Sequence, residues 1–336
     1  MTSPVKKLFG QTAVYGMSSI LGRLLNYLLV PLYTAVFVDP ADYGVVSELY
    51  AWVAFLIVLL TFGMETAFFR FIQKEGQREK TFATALVSLL FVNAVFFIIL
   101  AIFHQDIARL LLFEHHGEYI LLLGGIVAID AISSLPLAKL RAEERAVRFS
   151  IIQFSSIGIN IALNLVLMLG FVDPEHPEKG IFYILLANLM ASLIKPILMY
   201  KSFQLKASFD RALMHKMLRY SIPLAIAGFA GIINEMLDRI LLKQLLFDPT
   251  SPESLNLAEA QVGIYSASYK LAMLVTIFLQ AYRYAAEPFF FNQMKNEHRT
   301  QVYVKVMNAF IGLVCCVFLL VSLNMDVFKR NIKIIF

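Results

Sequence analysis

Charged side chains stand inside long apolar stretches of this sequence, where a charge is costly and usually has a partner or a purpose. Arg23 is the clearest case, because Gly16, Ser19, Arg23 and Asn26 recur at three- or four-residue steps and form one small, polar helix face. A guanidinium on that face can hold a diphosphate through bidentate, charge-assisted hydrogen bonds. The alternative is an arginine that only satisfies a neighbouring carbonyl or carboxylate.

A second apolar stretch repeats this pattern with both signs of charge. Glu235, Arg239 and Lys243 follow one another at steps of four, so mutual neutralisation along one helix is one interpretation. Glycines on the same stripe as Glu235 and Asp238 permit close helix approach, which makes the carboxylates candidate locks between helices. The functional alternative is that Asp238 or Glu235 binds a coupling ion.

Two further side chains belong to this set. Lys270 lies about a third of the way into its apolar stretch, so it either reaches the outer interface or completes a cationic cavity with Arg23 and Arg239. Asp130 has no counter-charge nearby in the sequence, and an isolated carboxylate at that depth must be protonated or partnered. Asp130 is therefore a candidate proton or sodium ligand.

Other polar residues predict anchoring or gating. Glu65 with Arg70, and Arg283 with Glu287, stand near equivalent ends of two apolar stretches and are candidate gate or interface pairs. The adjacent His115 and His116 lack further ligand spacing, so we predict no metal site. No feature calls for a cofactor.

The elements that position these residues must be membrane helices. Hydrophobic residues make up 59% of the 336 residues and charged residues 16%, which is outside the usual balance of soluble domains. Apolar runs approach or exceed the roughly 20 residues needed to cross a bilayer. They predict spans at Thr12–Val38, Val45–Phe71, Phe82–Phe103, Tyr119–Leu140, Val147–Val172, Ile181–Tyr200, Met217–Phe247, Val262–Ala281 and Val302–Leu323.

The basic residues predict the orientation of these spans. Most of the 29 lysines and arginines fall at one side of the spans, with only Arg109 and Lys179 in the opposite loops. Basic loops stay in the cytoplasm, so we predict a cytoplasmic N-terminus. Insertion signals also account for the net charge of +5, and we predict no binding to nucleic acid.

A weak internal repeat divides the chain. Residues around Asp39-Pro40 match residues after Asp248-Pro249 at a constant offset of 219 residues, with identities at Gly44/Gly263, Ser47/Ser266, Tyr50/Tyr269, Leu60/Leu279, Ala67/Ala286 and Phe71/Phe290. Such repeats are typical of transporters with a site between two related bundles. We predict a six-helix lobe over 1–200, a basic cytoplasmic linker over 201–219 and part of a second, parallel lobe over 220–336.

Several short motifs together resemble the polysaccharide transporter, or oligosaccharide flippase, family of the multidrug/oligosaccharidyl-lipid/polysaccharide superfamily. These motifs are Gly10 to Gly16, Leu21-Gly22-Arg23, Pro31 to Thr34, Asp42-Tyr43-Gly44, Tyr220 to Leu224 and Gly263 to Ser266. The resemblance implies two six-helix lobes around a central cavity. It predicts an all-α integral membrane protein of about nine transmembrane helices, with one complete lobe, three helices of a second, and a C-terminal truncation.

The resemblance also implies a function without covalent chemistry. We expect the flipping of undecaprenyl-diphosphate-linked oligosaccharide across a bacterial inner membrane for cell-surface polysaccharide synthesis. Expected partners are this lipid, membrane lipids and a polysaccharide polymerase or glycosyltransferases. A multidrug and toxic compound extrusion antiporter, which expels organic cations, is one alternative. A membrane-embedded lipid-sugar transferase is another, but the sequence lacks the metal-binding aspartate clusters or large soluble loop that such enzymes need.

Overall fold

The computed structural model describes residues 29–74, 77–113, 116–203, 205, 207–251, 253–270 and 299–324. Their regular structure is helical throughout. In chain order the helices are α1 (Leu29–Val36), α2 (Pro40–Thr61), α3 (Met64–Lys74), α4 (Arg78–Leu110), α5 (Gly117–Ala142), α6 (Ala146–Gly170), α7 (Gly180–Leu198), α8 (Arg211–Leu246), α9 (254–270) and α10 (Arg299–Leu323).

The long apolar helices confirm the predicted membrane architecture. Six helical segments are long and apolar enough to cross a bilayer, and they coincide with the second to seventh predicted spans. Helix α10 covers the ninth predicted span. The first and eighth predicted spans lie largely outside the described residues.

The second predicted span is not one straight helix. Phe62 and Gly63 both have positive φ, 34° and 68°, and separate α2 from α3. A left-handed φ costs glycine little, and a Cβ at Gly63 would come within 2.8 Å of the Ser221 carbonyl oxygen in α8. The break therefore lets α3 turn along the first part of α8 instead of continuing the axis of α2.

Helix α2 occupies the centre of the described bundle. Helix α4 packs along α5, and α7 packs against both α5 and α6. Helix α2 contacts α5 on one side and α8 on the other, so it joins the helices before residue 201 to those after the predicted linker. Apolar side chains such as Phe91 and Ile102 are 70% and 67% exposed on α4, as expected of a surface that faces lipid.

Asp210 fixes the start of α8. Its Oδ1 accepts a hydrogen bond from the Leu213 amide at 2.9 Å, which caps the helix. Its backbone N–H donates to Thr84 Oγ1 in α4, and its Oδ2 lies 2.6 Å from Lys80 Nζ. The middle of the predicted linker, where α8 begins, is thereby attached to the beginning of α4.

We expect Asp210 to make part of the stability pH-dependent. The hydrogen bond from Lys80, and then the one from the Leu213 amide, lower the pKa of Asp210. A depressed folded-state pKa gives stability that is complete above the ordinary aspartate pKa and is lost as pH falls through the lowered value. Unfolding in detergent from about pH 6 down to about pH 2 should show a smaller loss for Asp210→Asn than for the parent. Equal losses would contradict this assignment.

Candidate functional site

A cavity lies between the two parts of the chain. It has a volume of about 260 Å³ and is bounded by α1, α2, α6 and α7 on one side and by α8 and α9 on the other. Its polar lining consists of Tyr33, Tyr43, Ser47, Tyr50, Asn160, Asn188, Glu235, Arg239, Ser266, Tyr269 and Lys270. The volume is slightly below the roughly 300–1,000 Å³ of typical ligand pockets. A large ligand therefore needs the helices to move apart.

Residues from both copies of the internal repeat line this cavity. Ser47 and Tyr50 of α2 and their repeat equivalents Ser266 and Tyr269 of α9 all line it. Residues separated by a constant offset thus face one space from opposite sides. The other three repeat pairs have their second residues at positions 279, 286 and 290, which lie outside the described residues.

The third described repeat pair, Gly44 and Gly263, marks where α2 and α9 cross. A Cβ at Gly44 would overlap the carbonyl oxygen of Glu259, and a Cβ at Gly263 would overlap that of Pro40. Pro40 and Glu259 are themselves separated by the repeat offset, so the two contacts are symmetric equivalents. Two helices approach this closely only where neither carries a side chain. The crossing lies beside the Asp39-Pro40 and Asp248-Pro249 turns, and we call this side of the bundle the Asp-Pro end.

A buried lysine holds the same end together. Lys243 of α8 is fully buried, and its Nζ lies 2.9 Å from Glu48 Oε2 in α2 and 3.0 Å from Glu259 Oε1 in α9. It also donates to the Leu111 carbonyl at 3.3 Å and lies 4.0 Å from the centre of the Phe113 ring. One side chain therefore links α2, α8, α9 and the α4–α5 loop.

This cluster corrects one interpretation of the sequence. Mutual neutralisation of Glu235, Arg239 and Lys243 along α8 is wrong for Lys243, because its carboxylate partners come from other helices. Glu48 and Glu259 were missed as partners, since Glu48 lies 195 residues before Lys243 and Glu259 follows it only after a turn, on another helix. Their only sequence signal is a carboxylate near the start of an apolar run.

Arg239 is buried beside Asp238 and Tyr269. The side chain is 5% exposed, and Nη1 donates to the Glu235 carbonyl at 2.8 Å and to Asp238 Oδ1 at 3.1 Å. The guanidinium carbon lies 4.5 Å from the centre of the Tyr269 ring. Among the described residues, only Nη1 has a hydrogen-bonding partner, whereas a guanidinium carries five N–H donors.

The other predicted ligand-binding residues have mixed outcomes. Lys270 and Glu235 line the same cavity as Arg239, which places three of the predicted charged residues together. Arg23 and Asn26 lie outside the described residues. Their predicted share in a cationic cavity remains a prediction.

The two aspartates predicted as ion ligands both have partners. Asp130 is not isolated, because Lys195 Nζ of α7 donates to its Oδ1 at 2.8 Å. Asp238 accepts hydrogen bonds from Arg239 through Oδ1 and from the Tyr265 hydroxyl through Oδ2. The counter-charge that is missing near Asp130 in the sequence comes from Lys195 on another helix.

Glu65 and Arg70 have different partners in the structure, and their predicted role at a gate or interface stays a prediction. Glu65 forms an ion pair with Arg141 of α5, whereas the Arg70 guanidinium lies 4.0 Å from the centre of the Tyr220 ring in α8. Residues five apart on a helix point in different directions, so each finds a different neighbour. Arg283 and Glu287 lie outside the described residues.

Metal chemistry has no visible basis in the described part of the chain. No group of three or more His, Cys, Asp or Glu side chains is placed there to hold a metal ion. His116, which follows a second histidine in the sequence, has its ring Nδ1 2.9 Å from the accepting Oε1 of Glu118, and its ring stacks on Tyr119.

Sequence comparisons connect this architecture to known proteins. The model of the protein family described as "Polysaccharide biosynthesis protein" matches residues 8–294. A protein of the Lsg locus of Haemophilus influenzae is 22% identical over 299 residues, which cover 87% of this chain and 68% of that protein. An uncharacterized membrane protein of the same organism is 22% identical, with 86% and 66% covered. The chain thus spans about two thirds of the length of these relatives.

Solved structures share the fold. A MATE transporter in complex with MaD3S superposes with a TM-score of 0.61 at 16% identity, covering 100% of this chain and 79% of that one. A MOP superfamily transporter from Pyrococcus furiosus with a binding pocket of reversed polarity gives 0.58 at 16% identity, covering 99% and 77%. The described helices therefore have the arrangement of a MOP superfamily transporter.

Proposed function

The chain belongs to the polysaccharide biosynthesis protein family, and from that premise we propose that it flips an undecaprenyl-diphosphate-linked oligosaccharide across the bacterial inner membrane. The long apolar helices and the transporters that share the fold support a transport function over an enzymatic one. The observation that carries the proposal is the cavity between the two parts of the chain, which is lined by Arg239 and Lys270.

The charge of the cavity suits an anionic headgroup. A diphosphate with attached sugars cannot cross hydrocarbon unaided, because its charges and hydroxyls would lose their hydration. Of the guanidinium nitrogens of Arg239, only Nη1 donates hydrogen bonds to the described residues, and Lys270 adds a second cation on the same wall. Hydrogen bonds from charged donors to phosphate oxygens are about twice as strong as neutral ones, so these residues replace water effectively.

The closed Asp-Pro end supports alternating access. The Gly44/Gly263 crossing and the Lys243 ion pairs hold α2, α8 and α9 together on the side that the basic residues predict to be external. In this proposal the lipid enters while that end is closed, and it leaves when α2 separates from α8 and α9. Such rocking of two related bundles around a central site is the usual mechanism of transporters with internal repeats.

A cation antiporter is the second candidate, because Glu235 lines the cavity and MATE transporters share the fold. A cavity for organic cations should carry net negative charge. Among the described lining residues two are cationic and one is anionic, so the charge of the lining favours the lipid diphosphate. Transport of the lipid diphosphate and of an organic cation should therefore be measured in the same experiment.

We expect Arg239→Gln to reduce lipid flipping about ten- to hundredfold, because a hydrogen bond to a charged group contributes roughly 1.5–3 kcal/mol. The measurement is flipping of a fluorescent lipid-diphosphate-oligosaccharide in proteoliposomes, with efflux of an organic cation from the same vesicles. Arg109→Gln is the matched control, since it removes the same charge from a largely exposed position. Cation efflux without lipid flipping would replace this proposal with the antiporter.

A further inference from the structure

The two walls of the cavity differ in chemistry. Each wall carries a serine and a tyrosine from the repeat, but the charged residues Glu235, Arg239 and Lys270 all come from α8 and α9. Among the described lining residues, those from α1, α2, α6 and α7 are all uncharged. In place of charges this wall carries the amides of Asn160 and Asn188. Among the described residues, the charged groups and the neutral polar groups therefore lie on opposite walls of the cavity.

Asn188 is held in a fixed orientation. Its Nδ2 donates to the Tyr50 hydroxyl oxygen at 2.8 Å, across the contact between α7 and α2. Within the described part of the chain, the hydroxyl hydrogen of Tyr50 and the Oδ1 acceptor of Asn188 have no further hydrogen-bonding partner. These two residues therefore present one donor and one acceptor side by side at the cavity.

Asn160 is fixed by a second chain of hydrogen bonds. The Tyr33 hydroxyl donates to Asn164 Oδ1 at 2.8 Å, and Asn164 Nδ2 donates to Asn160 Oδ1 at 3.1 Å. Oδ1 of Asn160 accepts this bond, its Nδ2 donates to none of the described residues, and Asn160 itself lines the cavity. Preorganised neutral donors and acceptors recognise hydroxyl and amide groups without the cost of reorientation on binding.

We propose that Tyr50, Asn160 and Asn188 form a sugar subsite that binds the sugar attached to the diphosphate and selects which sugar is accepted. This inference rests on the proposed function, because it assumes that Arg239 and Lys270 hold the diphosphate. The headgroup then lies across the cavity, with its charge against α8 and α9 and its first sugar against α2, α6 and α7. The ligand class is a hydroxyl- or acetamido-bearing sugar on a lipid diphosphate.

The test compares two lipids of the same chain length, one with a bare diphosphate and one with a sugar attached. Equilibrium binding of each fluorescent lipid is measured on the full chain in detergent. We expect Asn160→Ala and Asn188→Ala to lower the preference for the sugar-bearing lipid about tenfold or more, because each leaves a sugar group without its partner. The isosteric Asn188→Asp preserves packing and should change the preference as well. Asn324→Ala is the matched control, because Asn324 is an exposed amide directly after the end of α10.

Each outcome decides a different point. Arg239→Gln should weaken both lipids and leave their ratio unchanged. If the asparagine variants weaken both lipids equally, or neither, the sugar subsite is overturned while the proposed function stands. If the parent protein binds neither lipid, the proposed function fails and the subsite fails with it.

Discussion

Replacing Gly263 or Gly44 by alanine is expected to open the Asp-Pro end. An added Cβ at either position would lie well inside the 3.0 Å that real Cβ contacts essentially never cross, and the atom it meets is a backbone carbonyl that cannot swing aside. Overpacking usually costs about 1–3 kcal/mol, which shifts a two-state equilibrium roughly five- to hundredfold. The closed arrangement should therefore become the minor state.

Electron paramagnetic resonance measures this shift directly. Spin labels at Val38 and Leu257, which are 83% and 60% exposed, stand next to Asp39 and Asn256, whose side chains are joined by a 2.9 Å hydrogen bond. The native Cys315 and Cys316 are first replaced by serine.

The parent should show a short distance between the labels, and Gly263→Ala a longer one. Gly158→Ala is the control, because nothing lies within 4 Å of its added Cβ. An unchanged distance in Gly263→Ala would mean that α2 and α9 do not cross at the glycines.

Replacing Lys243 by methionine is expected to destabilise the protein by about 3–5 kcal/mol, because it leaves the carboxylates of Glu48 and Glu259 without their cation. Glu48 is 1% exposed, so water cannot take over from the lysine. Thermal unfolding in detergent measures the loss. Arg145→Met, which removes a cation that is 55% exposed, should have little effect.

A second substitution separates lost charge from lost packing. Adding Glu48→Gln and Glu259→Gln to Lys243→Met removes both unpaired carboxylates, and it should restore most of the stability because a neutral core is tolerated. The triple variant should also release the Asp-Pro end, since no ion pair then joins α2 to α8 and α9. A triple variant no more stable than Lys243→Met would assign the loss to packing.

Local patterns in the sequence were enough to predict the helices. Apolar runs of bilayer length and the Asp-Pro turns between them depend on residues close together in the chain, and six of the predicted spans are described as long apolar helices. The repeat offset also had a direct consequence, because Gly44 and Gly263 cross and Tyr50 and Tyr269 share a cavity. The family resemblance is confirmed by the match over residues 8–294.

Charge pairing along the chain was predicted less well. Glu65 and Arg70 are close in sequence but bind Arg141 and Tyr220, and the pairing of Lys243 within α8 was wrong for the same reason. A local pattern shows which residues share a helix face. It contains no information about which helix that face meets.

The sequence by itself therefore determined that this is a membrane bundle with a repeat and with charges at depth. Only the tertiary structure decided what those charges do: Lys195 neutralises Asp130, Lys243 joins Glu48 to Glu259, and Arg239 faces a cavity opposite two oriented asparagines. The physical reason is the range of the interactions. Hydropathy acts on each segment separately, whereas a hydrogen bond requires two atoms about 3 Å apart, and helix crossings bring those atoms together from distant parts of the chain.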